Sequence, residues 1–380
     1  MAFFTLHSLR NQWNTFTNRP DFVWFLYGYH LFFIGLAYVF RVERGISDAH
    51  LYWGYTTDLL SQSWWEYAHF GTDFMLLLTY PFVYLGFPFW FGFFLFGTLG
   101  FLGIWNWMRW LQLEIGTSIL YKGWFLLPLL YFWPNLHFWT AGLGKEALVF
   151  WALATIFLKV SQRQYRSVAF GLAVVVLVAL RPHVALFLTV AFLIVQLFRK
   201  ELSLSKRLIG FGVSLPLIAG LIYVVLQLSK IRYIDWNRIQ RFNRGSVLSF
   251  EDSGSYVPML EYSRFYQWVS LHFRPFLWEA HSLFSFFAAL DNLLLLGLHL
   301  LALYLFVRYY RMFSFSVPLK VAFVFALICS SIYIFRYANL GIFMRTKIMW
   351  MPFLVGVFVL ILSNFIRKRI LNNIHEKSEL

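Results

Sequence analysis

Apolar residues run in long, almost unbroken stretches along this chain, and the charges fall in the gaps between them. The clearest runs cover residues 23–40, 74–101, 147–158, 209–228, 293–307 and 321–335. Runs of this kind predict helices that cross a bilayer, where every backbone amide must be satisfied within its own segment. Gly86 and Pro88 divide the second run into expected spans at 74–87 and 88–105. Residues 106–122 carry Arg109 and Glu114 and read as an amphipathic, interfacial segment. The stretch 123–133 is short of a full span and stops at Pro134. Runs 168–180 and 184–198 are hinged at Arg181-Pro182-His183 and predict a tight hairpin. The expectation is an all-α, polytopic helical membrane protein of about ten to twelve transmembrane helices. It forms a single transmembrane domain over 1–380, with two long loops at 41–70 and 229–281.

Composition strengthens this reading. Apolar residues make up 60% of the chain and charged residues only 13%, too few charges to cover a soluble core of that size. The net charge of +15 invites a nucleic-acid reading, but the cations are not spread over a surface. They gather at Lys159/Arg163/Arg166, Arg199/Lys200/Lys206/Arg207, Arg308/Arg311 and Arg367/Lys368/Arg369. This is the positive-inside pattern, so these four clusters are expected in the cytoplasm and loops 41–70 and 229–281 on the other side. Lys230, Arg232, Arg238, Arg241 and Arg244 in the longer loop run against the rule, which long loops obey weakly. Membrane lipids, not nucleic acid, are the partners this placement implies. Residues 1–21 read as an amphipathic helix on the cytoplasmic surface, and the run at 23–40 as an uncleaved span. Counting every run as a crossing puts the C-terminus outside, against the 367–369 cluster, so segment 106–122 or a half-span near it must absorb the odd crossing. Cys329, the single cysteine, lies in an apolar run and reads as packing.

Ionisable residues at membrane depth or beside it are costly, and are candidates for function. Four groups stand out. Asp48 and His50 follow the first span, and a carboxylate beside a histidine can take a proton from a hydroxyl group; a plain helix cap is the bland alternative. Lys145 and Glu146 follow a Pro134 break and Gly142/Gly144, irregular backbone that survives at depth only where it lines a cavity or is buried in protein. Lys145 can hold a phosphate oxygen, while Glu146 also suits a helix N-terminus. Arg181 and His183 sit at the hairpin hinge, where Arg181 can grip a pyrophosphate with two donors or mark a kink. Arg274, Arg336, Asn339, Arg345 and Lys347 form the last group; the cations on the expected outer side call for an anion, either a phosphate leaving group or lipid headgroups. No P-loop, GxGxxG, HExxH or CxxC pattern occurs. No metal-ligand set and no cofactor are predicted, although a divalent metal is left open.

Taken in order, the motifs resemble a known group. They are Asp48 with Tyr52, the stretch from Pro134 through Phe138-Trp139-Thr140 to Lys145-Glu146, and Arg181-Pro182, with Gly254-Ser255 in the outer loop. Then come Phe273-Arg274-Pro275-Phe276 with Trp278-Glu279-Ala280, the set Asn339, Gly341, Arg345 and Lys347, and Met351-Pro352-Phe353. From about residue 48 to 353 the combination resembles bacterial GT-C glycosyltransferases and O-antigen or exopolysaccharide polymerases. The resemblance implies a GT-C-like fold in the bacterial inner membrane. It also implies a polyprenyl-(pyro)phosphate-linked sugar or oligosaccharide as partner on the noncytoplasmic face, and a place in cell-envelope polysaccharide assembly. Asp48 or His50 would then deprotonate the acceptor. Lys145, Glu146, Arg181, His183, Arg274, Arg336, Asn339, Arg345 and Lys347 would surround substrate and phosphate. Many such enzymes carry a second acidic residue, and the nearest candidates, Asp58 and Glu66, fall outside the pattern. A flippase for a lipid-linked glycan and a noncatalytic subunit of a membrane complex are the rival expectations.

Overall fold

The computed structural model describes residues 20–43, 45, 47–116, 120–121, 124–125, 127–231 and 235–378. Most of the expected helix at 1–21 therefore lies outside the described residues, as do Lys122 and Arg232. Helix α1 (Pro20–Glu43) is followed by a short α2 (Asp48–Tyr52), α3 (Thr72–Tyr84) and a long α4 (Phe89–Ile115). A two-residue hairpin, β1 (Leu120–Tyr121) with β2 (Trp124–Phe125), leads to α5 (Leu127–Tyr131) and α6 (Pro134–Thr140). Then come α7 (Lys145–Ser161), α8 (Val168–Leu180), α9 (Pro182–Leu197), α10 (Leu204–Leu228), α11 (Trp236–Leu248) and α12 (Arg264–Phe273). The chain ends with α13 (Leu283–Tyr309), α14 (Val317–Tyr333), α15 (Leu340–Lys347) and α16 (Met351–Ser378).

The sequence marks many of these ends. Ser167, Ser203, Ser263 and Ser316 each accept a backbone N–H as N-cap of the helix that follows, and Pro134 and Pro182 open α6 and α9 where a missing N–H costs nothing. Among the described residues, five helices are long and apolar enough to cross a membrane: α1, α4, α10, α13 with its last turn to Met312, and α16 over Met351–Lys368. Helices α8, α9 and α14 are shorter but apolar. This is a predominantly helical chain with helices apolar enough for a membrane, and α10 illustrates it, apolar along most of its length with only Leu221 buried.

The core lies on α7. Thirteen of its side chains, from Glu146 to Val160, are buried. It packs most closely on α4, whose Gly97, Gly100 and Gly103 bring the neighbouring chain onto the helix backbone. A Cβ at Gly100 would stand 1.9 Å from the Thr140 carbonyl oxygen, and one at Gly103 would stand 2.8 Å from Trp151 Cα. Expected spans 74–87 and 88–105 and the interfacial segment 106–122 are thus organised differently. Residues 72–84 form a short helix at one end, and 89–115 are one continuous helix that absorbs most of the interfacial segment.

The molecule has two distinct ends. At one, Glu114 at the close of α4 accepts hydrogen bonds from Ser161 and Ser316, and Arg367 donates to the Ile115 carbonyl at 2.8 Å. These contacts gather the end of α7, the start of α14 and the basic part of α16, together with the adjoining cation clusters. At the other end, Gly71 N–H donates to the Ala179 carbonyl at 2.7 Å and Val257 N–H to Ala338 at 2.8 Å. Loops 41–70 and 229–281 lie there.

Candidate functional site

Four segments distant in sequence converge at this second end. Asp48 begins α2. Lys145 and Glu146 begin α7 behind an extended Gly144. Arg181 fills the joint between α8 and α9, where Pro182 ends one helix and starts the next. Arg345 projects from α15, whose N-cap Asn339 accepts from Ile342 N–H at 3.1 Å and donates to Ser253 at 2.9 Å.

Glu146 is the hub. Its Oε1 accepts from Arg345 Nε at 2.7 Å and from Arg181 at 3.0 Å. Arg345 also donates to Asp48 Oδ2 at 3.0 Å, so one guanidinium bridges two carboxylates. The Glu146 side chain is only 8% exposed, whereas that of Asp48 is 56% exposed. Lys145 Nζ donates to Thr72 Oγ1 at 2.9 Å. Arg41, Asp48, Phe138, Trp139, Glu146 and Arg345 line a common pocket. Arg181 reaches it through Glu146, and Lys145 stands beside it.

Burial alone would push the Glu146 carboxyl upward, but Arg345 and Arg181 outweigh that and hold it down at about 2. Burial likewise works against the charge on Arg345, yet Glu146 and Asp48 prevail and keep it protonated. Lys145 is different. Burial and then the like charge of Arg181 pull it to about 8, with Glu146 and Asp48 only partly offsetting them. The arrangement can therefore offer an anion one fixed cation and one cation that titrates near neutrality, beside an accessible carboxylate.

The remaining sequence candidates are placed elsewhere or act indirectly. His50 accepts from the Ser47 backbone N–H through Nδ1 at 3.3 Å and packs on Phe89, which makes it part of the α2 cap. His183 is stacked edge-on to Tyr333 and lies within the field of Arg181 and Arg336. Arg274 is paired with Glu279 and Tyr262. Arg336 stacks over Phe242, 3.9 Å from the ring centre. Lys347 is fully buried, donating to Asn292 and, at 3.1 Å, to the His272 carbonyl. Asp58 and Glu66 serve local turns, through Leu60 N–H and the Ser63 hydroxyl.

Sequence reasoning missed Thr72, the lining role of Arg41, and Glu146 as the carboxylate that shares Arg345 with Asp48. A threonine after Gly71 at the head of an apolar run was the available signal for Thr72. Among the described residues, no three His, Cys, Asp or Glu side chains form a metal-ligand group. Comparison with protein-family models, curated proteins and solved structures finds no match to this chain. The site is read from its own chemistry.

Proposed function

We propose that this protein is a membrane-embedded glycosyltransferase or polysaccharide polymerase of GT-C type, acting on a polyprenyl-(pyro)phosphate-linked sugar in the bacterial inner membrane. The reading rests on one observation: an accessible carboxylate, Asp48, and a shielded guanidinium, Arg345, face one pocket with the aromatic side chains Phe138 and Trp139. Phosphate oxygens on the donor compete with Asp48 for Arg345. Arg345, with Lys145 at the rim, then takes up charge as the bond between the sugar C1 and the phosphate oxygen breaks. Asp48, released from Arg345, accepts the proton of the acceptor hydroxyl as its oxygen bonds to C1. Glu146 and Arg181 hold Arg345 in place without touching substrate.

The test is release of polyprenyl phosphate or pyrophosphate from a lipid-linked sugar by the purified chain in lipid nanodiscs. Asp48→Asn is expected to cut turnover by ~10²–10⁴-fold with donor binding nearly unchanged. Arg345→Ala is expected to cost on the order of 10²-fold or more. Full turnover by Asp48→Asn would remove Asp48 as the base. A wild-type chain that binds the lipid-linked glycan and never releases the lipid phosphate would instead move its ligand, as a flippase does.

A further inference from the structure

Away from the pocket, two histidines meet in the interior. His30 on α1 and His137 on α6 are both fully buried, and their Nδ1 atoms lie 2.9 Å apart. His30 Nε2 is 2.9 Å from the Gly97 carbonyl oxygen on α4. His137 Nε2 is 2.7 Å from the Tyr131 carbonyl oxygen on α5. Carbonyl oxygens only accept, so each Nε2 in these contacts carries a hydrogen. Two neutral rings have then spent both their protons, and two bare Nδ1 lone pairs would face each other at hydrogen-bond distance. Three contacts need three protons, and two neutral imidazoles supply two.

Aromatic rings enclose the pair. The rings of Phe33 and Tyr29 flank His137 with centroids at 5.8 and 4.8 Å, and Phe101 lies 5.7 Å from His30. The ionisable groups facing the pair are Tyr29 on α1, which donates to the Phe132 carbonyl, Tyr131 on α5, and Asp291 on α13, which accepts from Asn135 N–H at 3.0 Å. On α4 the facing groups are the Gly97 carbonyl and Phe101, neither of which titrates. Among the described residues no carboxylate contacts either ring, and the acceptors facing the pair are the two carbonyl oxygens.

We propose that His30 and His137 form a proton-operated joint. With a third proton shared between the two Nδ1 atoms, the pair carries one positive charge and makes all three contacts. When that proton leaves, one ring moves its own hydrogen from Nε2 to Nδ1 and gives up its carbonyl oxygen. Loss of the Gly97 contact removes one of the ties between α1 and α4, leaving the Tyr27–Thr98 hydrogen bond; loss of the Tyr131 contact removes a tie between α6 and α5. Helix α6 carries Phe138 and Trp139 to the pocket wall and leads directly to Lys145 and Glu146. Acid therefore closes the joint and alkali loosens it, and the pocket wall follows. The inference stands on the contacts of the two rings and is independent of what the pocket binds.

Nitrogen-15 NMR of the full chain in lipid nanodiscs, labelled at histidine, tests it between about pH 5 and pH 9. At the acid end the expected spectrum has two protonated Nε2 atoms and a nitrogen–nitrogen coupling across the shared hydrogen bond. At the alkaline end the coupling persists, because the newly protonated Nδ1 donates to its partner, but one ring shows a bare Nε2 released from its carbonyl oxygen. His30→Gln and His137→Gln should each abolish the coupled signal. If those variants do not fold, the wild-type spectrum still decides, because only the charged pair keeps a hydrogen on both Nε2 atoms while sharing one between the Nδ1 atoms. Two rings that keep the same neutral tautomers across the whole range would overturn the proposal.

Discussion

One buried carboxylate, Glu146, holds two guanidinium groups and leaves the more exposed Asp48 as the carboxylate that a ligand can reach. That division follows from burial: a shielded charge needs permanent partners, and an exposed one can exchange them. Lys145 donates to a neutral hydroxyl, and burial with the like charge of Arg181 brings it down to about 8. Below that value it is an ammonium that binds anions; above it the charge is gone. Binding of a polyprenyl phosphate is therefore expected to weaken as pH rises from about 7 to 9, and Lys145→Ala should flatten that dependence. Affinity measured by microscale thermophoresis across this range checks it, and an unchanged pH profile in Lys145→Ala would show that another group titrates. At this scale the sequence was informative wherever a charge interrupted an apolar pattern, as at Lys145, Arg181 and Arg345. It was misleading for Lys347, Arg274 and Arg336, which look equally misplaced in sequence but are satisfied by an amide, a carboxylate and an aromatic ring that only folding brings near.

Helix α4 sets the frame in which those charges meet. Hydropathy divided it wrongly, because Arg109 and Glu114 lower the apolar signal before its end at Ile115, while Gly116 supplies the real stop with a left-handed φ of 72°. The apolar runs that became α1, α10 and α13 were legible because lipid or core surrounds them along their length. The irregular path from residue 127 to 144 was not, since its short helices depend on α4 for packing. Gly100 is the tightest point of that packing. Gly100→Ala is expected to destabilise the chain by about 2–3 kcal/mol through overpacking against the Thr140 carbonyl. Gly297→Ala on α13 meets nothing within 4 Å and should be neutral or mildly stabilising. Thermal unfolding of the two variants in the same detergent separates them, and equal melting temperatures would contradict this packing.

Across the whole molecule, the four basic clusters lie at one end and the pocket at the other, with α7 running between them. Residues 72–84 form a short helix at the pocket end and 89–115 one continuous helix, so the run at 74–101 supplies one long helix where the sequence suggested two spans. The positive-inside rule then predicts that the pocket end faces away from the cytoplasm. In intact cells an impermeant maleimide should label Asp252→Cys and not Ser205→Cys, against a background kept silent by the buried Cys329. Labelling of Ser205→Cys alone would invert the orientation. The central claim is that Asp48, Lys145, Glu146, Arg181 and Arg345 form one site for a lipid-borne phosphate. A cryo-EM map of the chain in nanodiscs with bound polyprenyl phosphate tests that most directly. The account predicts phosphate density within hydrogen-bond distance of Arg345, with Asp48 displaced from it. Phosphate density seated instead at the opposite end, beside Arg308 and Arg311, with the Arg345–Asp48 bridge intact, would contradict it.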